Sequence, residues 1–285
     1  MKTRIVYVNG AWVPENEASI SIFDRGFLMS DAVYEVSAVV DGKMVDNVAH
    51  LQRLQRSLDA LNIPLPLSLA EIITLQKRLI AENQLTEGVI YLHVTRGSAD
   101  RDFLFDTTMQ PSLVMFTQKK SIVDVPAAKQ GLRVMSHPDI RWQRRDIKTT
   151  QLLAQSLAKM AAHAAGYDDA WMVDGDGMVT EGSSNNVWII KDKVLITRPA
   201  THDILNGITR QALISVLEDT GVSLQERPFS IAEARVADEA LMSAAGSLVL
   251  PVVEIDGQRL GDGTPGVFTR KLRERYLEHM RTAED

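Results

Sequence analysis

Two hydrophobic periods follow one another irregularly along this chain, and that irregularity limits its folds more than any other feature. Apolar and polar residues alternate through Ile5-Val6-Tyr7-Val8 and resume after Asn9-Gly10 with Ala11-Trp12-Val13, which predicts a hairpin closed by a type I′ turn. A longer strand is expected over residues 32–40, closed by Asp41-Gly42. Leu51, Leu54, Leu58 and Leu61 then recur at helical spacing within residues 50–62, and the pattern repeats over residues 69–82. Strands return at residues 89–95 and 112–116. Residues 119–130 carry charges, Pro126 and adjacent alanines with neither period, and are expected to be a linker. Beyond it the pattern predicts a strand near residues 132–135, then a helix over 150–165 with Leu153, Leu157, Met160 and Ala164 on one face. A strand at 170–173 and hairpins around Gly182 follow. A helix over 209–220 should end at Gly221 in a left-handed cap, strands flank Asp256-Gly257, and a charged amphipathic helix runs from Val267. The regular alternation of a doubly wound parallel sheet and the glycine-rich dinucleotide fingerprint are both missing. The expected class is α+β in two domains: residues 1–118, the linker, and residues 131–285.

Composition removes several function classes. With 285 residues the chain is long enough to bury a large core without metal or disulfide staples. Cysteine is absent, which excludes thiol nucleophiles and thiolate metal sites and fits a reducing compartment, so the cytoplasm is expected. The 31 basic residues are scattered and outnumbered by 37 acidic ones, for a net charge of -6, so no nucleic-acid partner is expected. The first residues are not expected to act as a secretory signal, and no stretch approaches the roughly 20 apolar residues of a membrane-spanning helix. The six histidines show no metal-ligand spacing and no serine sits in a nucleophile-elbow pattern, which weakens zinc and hydrolase readings.

Four places offer chemistry. Lys148 precedes an apolar helix and follows Arg141, Arg144 and Arg145, a setting in which neighbouring charge and burial would free its amine for Schiff-base formation. Read locally, a solvated lysine is the commoner outcome. Thr180-Glu181-Gly182-Ser183-Ser184-Asn185-Asn186, between two apolar strands, is richer in hydrogen-bonding groups than a turn needs, and a carboxylate there can pair with a ring nitrogen, although a plain solvent loop fits equally well. Gly207-Ile208-Thr209 opens a helix whose free N–H groups suit a phosphate, as any helix start does. Arg53 lies beside the apolar stripe of its helix, where its guanidinium can fold inward onto a phosphate, while most helix arginines stay solvated; Arg56 offers the same chemistry one turn on.

Taken in order, His50-Leu51-x-Arg53-Leu54, Asp139-Ile140-Arg141-Trp142 through Asp146-Ile147-Lys148, Thr180-Glu181-Gly182-Ser183-Ser184-x-Asn186-Val187 and Gly207-Ile208-Thr209-Arg210 resemble the class IV (fold-type IV) pyridoxal-phosphate aminotransferases, and among these the D-amino-acid aminotransferases. The resemblance runs over nearly the whole chain, from Asp24-Arg25-Gly26 and Val33-Tyr34-Glu35-Val36 to residues 251–257. It implies that Lys148 carries pyridoxal 5'-phosphate, that Glu181 pairs with the pyridine nitrogen, and that Arg53 with the backbone of Ile208 and Thr209 holds the phosphate. It further implies a homodimer, and an amino group moved between a D-amino acid such as D-alanine and a 2-oxo acid such as 2-oxoglutarate. Tyr34 and Arg101 match the residues that take the substrate carboxylate in that family, where the arginine and a histidine two residues on come from the neighbouring subunit, but Phe103 stands where that histidine is expected. Ser247 stands in place of the usual phosphate-site threonine. On the same scaffold, branched-chain L-amino-acid transaminase, (R)-amine transaminase and aminodeoxychorismate lyase are the alternatives, and a binding protein without turnover is a reading of another kind.

Overall fold

A computed structural model of the chain describes residues 3–218 and 220–282; the ends of both expected domains and Asp219, within the expected helix 209–220, lie outside the described residues. The chain divides into two compact units, one running to Ser121 and including Ile147–Gln151, the other made of Ile122–Asp146 and of Leu152 onward.

In the first unit the opening hairpin forms as its alternation requires. Strand β1 (Ile5–Val8) pairs with β2 (Ala11–Pro14), Val8 opposite Ala11, and the intervening Asn9 and Gly10 have φ of 47° and 93°. Two positive φ angles in a two-residue loop define the turn that matches strand twist. Asp41 and Gly42, at 52° and 76°, repeat the device between β3 (Ala32–Val40) and β4 (Lys43–Met44). A short helix α1 (Arg25–Met29) precedes β3; α2 (Asn47–Ala60) and α3 (Leu69–Glu82) follow β4, with α3 opened by a capping box between Ser68 and Glu71. Strands β5 (Gly88–Thr95) and β6 (Ser112–Lys119) complete a sheet of order β2-β1-β6-β5-β3-β4 among the described residues. Leu51, Leu54 and Leu58 of α2 are buried, and α2 packs on β3.

The edge of β3 is covered by a distant piece of chain. Tyr34 N–H donates to the Lys148 carbonyl at 3.0 Å, Thr150 N–H donates to the Ala32 carbonyl at 3.2 Å, and Val33 and Thr149 form an isolated bridge. The lysine segment therefore belongs to the first unit, whereas the sequence pattern places it in the C-terminal domain. Backbone edge groups need partners, and nothing in local periodicity announces a pairing between residues so far apart.

The second unit holds a larger sheet: β12 (Ser223–Glu226), β11 (Val194–Thr197), β10 (Asn186–Lys191), β13 (Glu239–Ala244), β14 (Leu248–Ile255), β7 (Leu132–Pro138), β8 (Asp169–Val173) and β9 (Val179–Gly182), in that order, with β15 (Gln258–Arg259) beside β14. Trp171, Val187, Ile189, Phe229 and Ile255 form its buried core. The expected linker is partly ordered, because β6 extends to Lys119 and α4 (Pro126–Gln130) begins with proline in its first turn, where the missing N–H costs nothing.

Two helices depart from expectation. Helix α5 (Leu153–Ala164) buries Ala158 and Ala162 against Ala170 and Met172, while the predicted apolar face lies outward, with Leu153, Leu157 and Met160 exposed by 72%, 52% and 63%. Alanines let the helix approach the sheet closely, so its larger side chains turn away. Helix α6 (Ile208–Ser215) stops short of residue 220: Leu217 and Thr220 N–H groups bond three residues back, to Ile214 and Leu217. Gly221 is left-handed, φ 86°, but lies beyond this looser turn, and the helix itself is capped at Val216. Helices α7 (Ile231–Arg235) and α8 (Val267–Thr282) complete the unit. Among the described residues no helix is long and apolar enough to cross a membrane.

Candidate active site

In the first unit the candidate groups gather around β3. Its inward positions read Val33, Glu35, Ser37 and Val39, so a carboxylate interrupts an apolar face. Glu35 accepts from Arg53 Nε and Nη2 at 2.7 and 2.8 Å and lies 2.8 Å from His50 Nδ1, all three side chains buried. Arg53 therefore turns inward onto Glu35, and Arg56 stays exposed. Burial pushes the Glu35 carboxyl up, but the Arg53 charge and the hydrogen bonds of Arg53 and His50 outweigh it and hold Glu35 well below the usual carboxylate range. Burial pushes the His50 imidazole down against the pull of Glu35, with the Arg53 and Lys148 charges adding to the push.

On the opposite face of β3 the Tyr34 ring stacks on Tyr91 at 5.6 Å, Tyr91 stacks on Phe116 at 4.6 Å, and the Lys148 amine lies 4.3 Å from the Tyr34 ring centroid. Lys148 thus rests on an aromatic face. Burial raises the Tyr91 phenol, which lies 3.2 Å from His93 Nδ1. Arg101 is exposed on the loop between β5 and β6, its guanidinium 5.5 Å from the Phe103 ring, and Phe103 is itself 76% exposed.

In the second unit Glu181 is buried on β9. It accepts from Arg141 Nη1, from Asn186 Nδ2 at 3.2 Å and from Leu205 N–H at 3.2 Å. Burial pushes its carboxyl up, and the Arg141 charge opposes this without cancelling it. Asn186 also donates to the Leu205 carbonyl at 2.8 Å, tying β10 to the approach to α6. At the start of α6, Ile208 and Thr209 are both buried behind Gly207, which has no side chain to cap their N–H groups. A Cβ at Gly207 would come within 2.1 Å of Asn186 Oδ1, so glycine there permits this approach. Ser247 lies in the turn between β13 and β14, its N–H donating to the Ala244 carbonyl at 3.2 Å.

The arginines that precede Lys148 in sequence are bound to acids of the second unit: Arg141 to Asp139 and Glu181, Arg144 to Asp146, Arg145 to Asp139. Sequence reasoning missed Glu35 and Asp139 as the groups that hold Arg53 and Arg141. A carboxylate on an inward strand position, and the Asp-x-Arg spacing of residues 139–141, were the available signals.

The chain is similar to known proteins over nearly its whole length. The Amino-transferase class IV family matches residues 32–255. A D-alanine aminotransferase of Staphylococcus epidermidis is 35% identical over 278 residues, covering 97% of this chain and 98% of its own. A branched-chain amino acid aminotransferase of Escherichia coli superposes with a TM-score of 0.91 at 24% identity, over 100% of this chain and 97% of that one. The T.th. branched-chain enzyme, solved with pyridoxamine 5'-phosphate, gives 0.90 at 24% identity over 99% and 96%. At such identity these two likenesses speak for the fold alone.

Proposed function

The chain belongs to the class IV aminotransferases, and from that premise we propose that it moves an amino group between a D-amino acid such as D-alanine and a 2-oxo acid such as 2-oxoglutarate, using pyridoxal 5'-phosphate. The observation that carries the substrate half is the full-length similarity to D-alanine aminotransferases.

The donor set fits the cofactor. A phosphorylated pyridine aldehyde asks for an amine, an acid for its ring nitrogen and a phosphate cradle, and this chain offers Lys148, Glu181, and the uncapped start of α6 with Arg53. Glu181 is buried, and burial raises its carboxyl even beside Arg141; a protonated ring nitrogen next to it would favour its charged form.

When bound, the cofactor ring accepts the electron pair left as the substrate α-proton departs. Lys148 would hold the group through its Nζ, and with that nitrogen free it would move the α-proton between the substrate Cα and the cofactor carbon within each half-reaction. Glu181 would face the ring nitrogen and favour its protonated form. Ile208 and Thr209 N–H groups would bind the phosphate at a helix N-terminus; Arg53, held by Glu35, and the Ser247 hydroxyl are the further donors that the resemblance implies. Tyr34 and the partner subunit's Arg101 would take the substrate carboxylate. The reading includes a cytoplasmic homodimer, supported by the cysteine-free composition and by the exposed apolar stripe of α5.

A coupled assay with D-alanine and 2-oxoglutarate, run beside L-leucine and simple (R)-amines, tests the substrate. Turnover of the L-amino acid without the D-amino acid overturns it, and pyruvate release without any keto acceptor points to a lyase. Borohydride trapping and peptide mapping test Lys148: a label on another residue removes it from the reaction. Sedimentation tests the dimer.

A further inference from the structure

Behind Glu181 stands a second buried acid. Asp139 follows β7, its side chain is 0% exposed, and it takes the far edge of the same guanidinium that meets Glu181. Arg141 Nε donates to Asp139 Oδ1 at 2.9 Å and Nη2 to Oδ2 at 2.7 Å, while Nη1 donates to Glu181 Oε1. Asp139 is fixed in turn by the Thr180 hydroxyl, 2.7 Å from Oδ2, and by the Arg141 N–H at 3.1 Å, while Arg145 Nε lies 3.1 Å from Oδ2 as an ion pair without a hydrogen bond. Thr180 and Glu181 are neighbours on β9, so one strand supplies both the support of the clamp and the group the clamp serves. A planar guanidinium gripped along one edge by two charge-assisted bonds cannot rotate, and its remaining donor is aimed.

We propose that Asp139 is a positioning residue for the transamination: by gripping the outer edge of Arg141 it holds that guanidinium against Glu181 and so keeps the buried Glu181 carboxylate charged and oriented. The proposal rests on the reading of Glu181 as the partner of the ring nitrogen. The charged and titratable groups facing Glu181 are Arg141 and Asp139, both from the segment after β7; Asn186 from β10 and the Leu205 N–H ahead of α6 contribute neutral bonds.

The two acids oppose each other directly, which gives the test a sign. As a charge alone, Asp139 disfavours ionisation of Glu181; as a clamp on Arg141 it favours it. Apoprotein labelled with 13C at the glutamate carboxyls is titrated by NMR, the Glu181 resonance being assigned by its loss in Glu181→Gln. In Asp139→Asn the Glu181 midpoint is expected to rise by about one pH unit, the scale of a lost close charge contact, and Asp139→Glu should restore most of it. A midpoint that falls or stays put overturns the proposal. Should Asp139→Asn not fold, Thr180→Val loosens the clamp without changing charge, and its midpoint must rise by a smaller amount; no rise there is equally fatal. Half-reaction rates of Glu181→Gln judge the underlying assignment separately: rates equal to the parent protein remove Glu181 from the ring nitrogen whatever the titration shows.

Discussion

The Lys148 carbonyl accepts the Tyr34 N–H at 3.0 Å while the Lys148 amine rests 4.3 Å from the centre of the Tyr34 ring. One residue pair thus joins a main-chain bond to a side-chain contact, so the register of the lysine segment on the β3 edge also decides where the amine begins its reach.

The ring should matter more than the hydroxyl for seating the lysine. Tyr34→Leu removes the cation–π contact, a loss of about 1 kcal/mol, and is expected to weaken cofactor retention roughly fivefold. Tyr34→Phe should retain the parent affinity, though it gives up the proposed carboxylate contact and raises KM for amino acids. Fluorescence titration with the cofactor separates the two; equal losses in both variants would show that the ring plays no part.

Glu35→Gln leaves the Arg53 charge buried with half its partner gone. Breaking such a pair costs about 3 kcal/mol, and removing both charges together costs less. Urea unfolding of Glu35→Gln and of Glu35→Gln/Arg53→Met should show the double variant more stable than the single. The reverse order would mean that Glu35 does not offset Arg53.

His50 gives the apoprotein an acid-side weakness. Burial lowers its folded pKa below the ordinary imidazole value, so the unfolded chain binds the proton first, and stability present above about pH 6.5 declines as pH falls toward the folded value. His50→Gln should flatten the stability curve below about pH 6.5 relative to the parent. Parallel curves over that range would exclude His50 as a source of the slope.

Gly207→Ala drives a methyl toward Asn186, whose amide holds both Glu181 and the Leu205 carbonyl. Overpacking of this kind costs about 1 to 3 kcal/mol. We expect a lower melting temperature and weaker cofactor binding together; binding lost with an unchanged melting temperature would point to a direct contact of Gly207 with the cofactor instead.

Much of the architecture was legible because each element announces its own period. The hairpin at Asn9-Gly10, the strand over residues 32–40 and the helix over 69–82 follow from local pattern and turn chemistry. Relations across the chain were not. Arg53 reads as solvated until Glu35 is folded beside it, and the lysine segment reads as part of the later domain until its backbone meets β3. On α5 the pattern was seen and its direction missed, since alanines, which a hydrophobic count ranks low, packed inward on Met172 and Ala170. Candidate residues were recognisable as motifs, while the acids that steer Arg53 and Arg141 were visible only as unexplained carboxylates.

The excursion of Ile147–Gln151 has a topological cost for anyone who would cut this protein in two. The polypeptide leaves the first unit after Ser121, returns for five residues and departs again at Leu152. A break near residue 121 would hand Lys148 to the fragment that does not shelter it and leave β3 with a bare margin where Tyr34 N–H seeks an acceptor. Independent expression of either half should therefore yield a sticky, incomplete sheet or a tethered lysine without its aromatic seat, and two-piece complementation would have to rebuild that seam before any chemistry returned.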